Sequence, residues 1–300
     1  MSYSPSPRPT FSGPAHIPYQ QVTRHLWGDE IAGEVADWIY VSSNKIHQLV
    51  FGLPPGRGFR HSEEFRTIFA ADEVLYVLSG IMVLCNPETG EVHPVRPGEA
   101  AFFRRDTWHH AFNFGKEPLR VLELFAPPPS QGTSGAYART KPMLTTSRYF
   151  QTEWLSKWPM SQSEAASKST IRVLRESDLL WFLEGKRSGV LCGILASTEH
   201  LTVGTMQLLP GQKSSVHCHE GDESLYVLEG ALNMLLPENE GQRWFELGPR
   251  DGFYVPEGVP HQYHNVTSDP ANLIFGVAPK FEGGGRTAGD KVEQPESIAP

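Results

Sequence analysis

The chain repeats itself. "ADEVLYVLSG" at 71–80 matches "GDESLYVLEG" at 221–230, and "PGEAAFFRRDTWHHAFN" at 97–113 matches "PRDGFYVPEGVPHQYHN" at 249–265. "LPPG" at 53–56 is echoed by "LLPG" at 208–211. The matched pieces keep their order at a separation of roughly 150 residues, which means one supersecondary unit built twice. Within each copy, short runs rich in Val, Phe, Tyr and Trp alternate with turn residues, and the 300 residues include 28 Gly and 25 Pro. That pattern predicts many short strands joined by tight turns. In the second copy the strands are expected near 189–197, 202–209, 215–220, 223–229, 231–236, 243–247, 252–255, 260–266 and 271–278. An antiparallel set of this kind hides its edges by forming a sandwich or barrel, so the predicted fold class is all-β with two tandem barrels.

The repeat also divides the chain. An N-terminal arm (1–34) precedes the first module (35–126), an inter-module segment (127–188) leads to the second module (189–279), and a tail (280–300) reads as disordered or draped over a surface. Inside the inter-module segment, "SRYFQTEWLSKWP" sets Tyr149, Phe150, Trp154, Leu155 and Trp158 at roughly helical spacing. So much aromatic surface predicts a short helix packed across the module interface.

A net charge of -8 disfavours nucleic acid as a partner. No apolar run approaches the roughly 20 residues that span a bilayer, and the N-terminus lacks the basic flank and apolar core of an export signal. Three scattered cysteines, Cys85, Cys192 and Cys218, suit a reducing compartment. The expectation is a soluble cytoplasmic protein whose partner is a small molecule.

"HCHEGDE" at 217–223 carries the chemistry. In extended chain, residues two apart share a face, so His217 and His219 point together while Cys218 faces away. A short turn then lets Glu223 return to that face. Downstream, His261 and His264 lie three positions apart and face opposite ways, and His261 is chosen because it aligns with His109 of the first module. Tyr263 shares the inner face with His261. Three imidazoles and a carboxylate suit a divalent ion, with Fe, Mn, Ni, Zn and Co all compatible.

These residues resemble the cupin superfamily. Its first motif (Gly, five residues, His-x-His, three residues, Glu, six residues, Gly) is met by Gly211, His217, His219, Glu223 and Gly230. Its second is met by Asp251, Pro256, Gly258, His261 and Asn265, with Arg250 standing where the motif places a glycine. The resemblance covers both modules and implies a two-cupin chain of double-stranded β-helix (jelly-roll) barrels. The first module departs from it. Thr67 and Phe69 occupy the places of His217 and His219, leaving only Glu73 and His109 as donors unless His61 swings in. A first module without metal is expected.

Cupins with the ligand set His217, His219, Glu223 and His261 resemble, as a group, Fe(II)-dependent dioxygenases. That implies Fe(II) as cofactor, dioxygen as co-substrate, and cleavage of a C–C bond in a small aromatic, enol or diketone substrate. Glu223 would alternate between ligand and base, with Tyr263, Met206 and Gln207 as wall residues of the substrate pocket. Bicupins of this kind often pair as dimers. Two other readings stay open: a lyase or isomerase using the ion as Lewis acid, and a storage or ligand-binding bicupin without catalysis.

Overall fold

The computed structural model describes residues 6–127, 135–184 and 189–281. The tail reading for 282–300 and part of the loop at 128–134 lie outside them. Each module consists of a large sheet facing a small one, and the two large sheets have the same strand order. In the first module that order is Ile171–Leu174, Ala100–Phe103, Asp72–Ser79, Leu119–Ala126, His47–Leu53, Val35–Ser42 and Thr23–Trp27. In the second it is Ala15–Ile17, Gly252–Val255, Asp222–Glu229, Ala271–Ala278, Thr202–Leu208, Val190–Ser197 and Leu180–Glu184. Every pairing is antiparallel. The small sheets contain Gly58–Phe59, His110–Asn113, Met82–Asn86 and Glu91–Val95 in the first module, and Trp244–Leu247, Leu232–Leu235 and Gln262–His264 in the second. Hydrogen bonding does not close large and small sheets into one continuous barrel. Each module is a jelly roll whose two inner faces form its core.

The repeat explains most of this, but not which segments finish each sheet. The strand Ala15–Ile17, from the N-terminal arm, pairs with Gly252–Val255 of the second module. Its counterpart Ile171–Leu174, from the inter-module segment, pairs with Ala100–Phe103 of the first. The large sheets therefore reach beyond the boundaries 35–126 and 189–279, taking in Thr23–Trp27 and Leu180–Glu184 as well. Each half of the chain supplies a strand to the other.

Matched residues do matched work. Asn113 donates to the carbonyls of Leu53 and Glu117, while Asn265 donates to those of Leu208 and Asp269, so each buried amide clamps the end of a strand to the turn after it. Arg250 sits at φ 76°, nearly the conformation of its counterpart Gly98 at φ 85°. The turn geometry survives the loss of glycine at the cost of a left-handed non-glycine residue. The Arg250 guanidinium lies over the Tyr19 ring at 3.5 Å, and its carbonyl accepts a hydrogen bond from Tyr40. It faces the groove between the modules rather than the metal-site mouth.

Two expectations need correction. Residues 215–220 form no strand; an isolated bridge between His217 and His261 replaces it. The aromatic segment is not a helix across the interface either. It holds a single 3-10 turn at Thr152–Trp154, and the α-helices of the inter-module segment lie before and after it, at Gly135–Ala138 and Gln162–Lys168. Tyr149, Phe150, Leu155 and Trp158 are exposed, and the segment lies on the first module, where Tyr149 Oη meets His110 Nδ1 at 2.9 Å. The interface is filled instead by the outer faces of the large sheets, among them Tyr40, Val50, Leu122, Val203, Tyr226 and Ile274. Sheet faces bury apolar area without ordering a separate helix, and each fully buried aliphatic side chain contributes about 1.5–3 kcal/mol. At the edge of this interface Asp222 accepts from Ser43 Oγ (2.8 Å), Tyr254 Oη (2.6 Å) and Lys45 Nζ (3.2 Å).

Candidate metal centre

Glu223 is the second residue of the central strand Asp222–Glu229, flanked by Val255 on one side and Val277 on the other, and is 1% exposed. His217 is held opposite His261 by reciprocal backbone hydrogen bonds of 3.0 and 2.9 Å. His219 follows two residues later and lies on the same side, its ring centroid 5.2 Å from that of His217. The four side chains converge, with one ligand atom from each lying within 4.8 Å of all the others. His261 Nε2 is 2.7 Å and His219 Nε2 3.7 Å from Glu223 Oε2.

Backbone carbonyls decide which nitrogen each imidazole presents. Nδ1 of His217 meets the Ser215 carbonyl at 2.9 Å, Nδ1 of His219 the Phe281 carbonyl at 2.6 Å, and Nδ1 of His261 the Val259 carbonyl at 2.9 Å. A carbonyl only accepts, so each Nδ1 carries the proton and each neutral ring turns an Nε2 lone pair inward. Glu223 Oε2 is buried and receives no hydrogen bond. Its 2.7 Å contact with His261 Nε2 sets two lone-pair atoms against each other unless a proton or a cation lies between them. The arrangement fits a divalent ion bound by nitrogen and oxygen, and imidazole with carboxylate accommodates Fe, Mn, Ni, Zn or Co.

The electrostatics agree. Burial alone would raise the Glu223 carboxyl, but the imidazoles of His261, His219 and His217 outweigh it and hold the group down at about 2. Burial, with the neighbouring His261, pushes His217 down to about 3. Burial would also lower His261, yet the Glu223 carboxylate pulls it above the usual imidazole value. Tyr263 is fully buried and donates its hydroxyl to Glu223 Oε1; burial and that carboxylate keep the phenol well above its usual range. A deprotonated Glu223 thus has Oε1 fixed by Tyr263 and Oε2 turned toward the imidazoles.

The residues chosen from sequence fall unevenly around this point. His217, His219, Glu223, His261 and Tyr263 meet there. Met206 is buried in the same core cluster as Tyr263. Gln207, next on that strand, takes the opposite face with Thr205, which lines the groove between modules, so it is no wall residue of this module's interior. His264 is half-buried against the Trp244 ring. Sequence reasoning missed Phe281, whose ring stacks on His219 with centroids 5.0 Å apart. It also missed the three carbonyls that orient the imidazoles, since backbone acceptors leave no mark in a residue pattern.

In the first module Thr67 and Phe69 stand where the histidines would be, and Glu73 Oε2 and His109 Nε2 are 4.0 Å apart. His61 does not join them. Its ring is held between His110 Nε2 at 2.7 Å and the Leu144 carbonyl at 2.8 Å. Among the described residues only the second module gathers a metal-type cluster.

Two fused jelly rolls, the second presenting three imidazoles and a carboxylate to one point, define a bicupin with a candidate metal centre. The chain belongs to the cupin family, the cupin domain matching residues 49–125 and 204–277, one stretch in each module. A curated relative, polyketide synthase CurC of Streptomyces cyaneus, is 33% identical over 99 residues, a match spanning 31% of this chain and 62% of that protein. Among solved structures, AerE from Microcystis aeruginosa superposes with a TM-score of 0.56 at 15% identity, covering 86% of this chain and 97% of that one. Lactobacillus farciminis oxalate decarboxylase, in a formate complex, gives a TM-score of 0.59 at 12% identity, covering 92% and 89%. At such identities the structures attest the shared two-module fold. Among the described residues no helix is long and apolar enough to cross a membrane.

Proposed function

We propose that the chain is a metal-dependent bicupin enzyme that works on a small oxygen-rich substrate in its second module, with Fe(II)-dependent cleavage of a C–C bond in an aromatic, enol or diketone compound as the leading reading. The observation that carries it is the set of three Nε2 atoms and one carboxylate oxygen held within 4.8 Å, each imidazole already fixed through Nδ1. Pure storage has no need of such ordering. A bound divalent ion would supply Lewis acidity toward enolate or phenolate oxygens and, as Fe(II), reactivity toward dioxygen.

The protein's part is to hold and to exchange protons. His217, His219 and His261 offer neutral nitrogens. Glu223 is kept ionised by them, so it can serve as ligand or accept a substrate proton through Oε2. Tyr263 steadies Oε1 during that exchange. Met206 and Phe281 add apolar surface beside these groups, consistent with a dry site for a small molecule. The likeness to a protein named polyketide synthase favours a substrate bearing β-dicarbonyl or phenolic oxygens, the functional groups typical of polyketides.

A lyase reading is favoured by one observation, the oxalate decarboxylase fold that spans nearly the whole chain. Dioxygen uptake separates the two. The Fe(II)-loaded protein, offered catechols, β-diketones and hydroxy-aromatic acids, is expected to consume dioxygen with at least one of them. Turnover without uptake, preserved under anaerobic conditions with Mn(II) or Zn(II), would establish the lyase instead.

A further inference from the structure

The first module keeps an interior cavity of its own, and we propose that it binds a small alkylammonium there without any metal. The cavity measures about 90 Å³. A dry cavity of roughly 150 Å³ holds benzene, so this one suits about four non-hydrogen atoms. Its walls carry five aromatic rings, Trp27, Phe51, Phe59, Phe69 and Phe125. Its polar side chains are Asp37, Glu123, His47, His109, Thr67 and Ser6. No lysine or arginine lines it.

These polar groups are poorly satisfied by the protein itself. Thr67 is 2% exposed, and its Oγ1 has no hydrogen-bond partner. Asp37 is 7% exposed, and it lines the same cavity. Glu123 interacts electrostatically with the neighbouring Glu73, whose Oε2 is buried without a partner. Buried polar groups are normally paired, and each orphan costs about 1–3 kcal/mol. An orphan of this kind, Thr67 Oγ1, facing an aromatic-lined chamber beside the acids Asp37 and Glu123 indicates that the missing partner is a guest.

The character of the guest follows from the donors it must bring. An ionised carboxylate only accepts and the Thr67 hydroxyl can accept as well, so a guest that donates several hydrogen bonds matches Asp37, Glu123 and Thr67. Burial, reinforced by mutual repulsion, raises the carboxyls of Asp37 and Glu73, and burial raises Glu123 to about 7. An ammonium that enters as a carboxyl proton leaves keeps the chamber neutral, and the aromatic faces attract its positive charge. A carboxylate guest would meet like charge. A metal ion would lack donors, because Thr67 and Phe69 replace two imidazoles and His109 Nε2 stays 4.0 Å from Glu73 Oε2.

Isosteric probes test this on the full chain: n-propylammonium, 1-propanol and propionate, titrated by calorimetry and by ligand-detected NMR. The ammonium is expected to bind at least about tenfold more tightly than the alcohol, and propionate not to bind. Glu123→Gln and Asp37→Asn are each expected to weaken the ammonium about tenfold, while His217→Ala, in the other module, leaves it unchanged. Equal binding of ammonium and alcohol, preference for propionate, or no detectable ammonium binding to the folded wild-type chain overturns the proposal. So does loss of binding in His217→Ala with retention in both acid variants. Folding of each variant is checked by its melting curve, and the wild-type probe series decides the matter should both acid variants fail to fold.

Discussion

Replacing Tyr263 by phenylalanine removes one oxygen atom from a fully buried position and tests how the metal centre is held. The hydroxyl is the donor that satisfies Glu223 Oε1, and Oε2 has no hydrogen-bond donor of its own. Without metal, Tyr263→Phe leaves a buried carboxylate oxygen unpaired at a cost of about 1–3 kcal/mol. For a chain of this size that lowers the melting temperature by about 2–4 °C per kcal/mol. With metal, the carboxylate loses the contact that aims it. Groups that orient metal ligands are worth about 10–100-fold in affinity, or roughly 1.4–2.8 kcal/mol. Thermal melts with and without Mn(II), Fe(II) or Zn(II), together with competition against a chromogenic chelator, read the two terms separately. A phenylalanine variant that melts like wild type and holds metal as tightly would refute the argument that Tyr263 positions Glu223.

Further outcomes are equally specific. His217→Ala or His261→Ala should abolish tight metal binding, whereas His109→Ala should leave most of it, as elemental analysis of the purified variants will show; equal losses in all three would mean that the modules have been misassigned. Glu91, buried in the first module, accepts hydrogen bonds from the Thr170 and Ile171 amides and from Ser169 and Thr170 hydroxyls. Burial works against its ionisation, but bonds from His93, Ser169 and Thr170 hold its carboxyl well below the usual value. Glu91→Ala should therefore cost roughly 2–5 kcal/mol at neutral pH. Because the folded-state pKa is depressed, the stability contributed by ionisation is complete above the unfolded value of about 4.3 and fades as pH falls below it. Urea melts should accordingly show the gap between wild type and variant narrowing below about pH 4, and a pH-independent gap would contradict this. Ile17→Ala, in the strand lent to the second module, should destabilise by about 2–5 kcal/mol and speed amide exchange along Gly252–Val255, an effect measurable by mass spectrometry.

What the sequence made legible was set by short-range covalent spacing. His217 and His219 share a face because they are two residues apart, and Glu223 and His261 hold fixed places in repeated motifs. The module count followed from the repeat itself. Non-local pairings were hidden: Ala15–Ile17 and Ile171–Leu174 are short strands whose partners lie far along the chain. The aromatic spacing at 149–158 misled because such side chains also settle on an existing surface, where they remain largely exposed. The acids of the first module did leave a signal. Asp37 alternates in phase with Val35 and Ile39, and Glu123 with Val121 and Phe125, so both carboxyls fall on the inward face of their strands. A charge in the inward phase is a mark of function or of an unmet partner.

The crossed strands carry a consequence for the history and handling of the molecule. A cut between Ala126 and Ile171 strands each fragment with a bare ledge of amides and carbonyls, because the piece that should cap it has gone with the other fragment. Once interlaced in this way, neither half can be discarded without exposing the edge of the other. A lone half expressed by itself should seek a second copy to cover the gap.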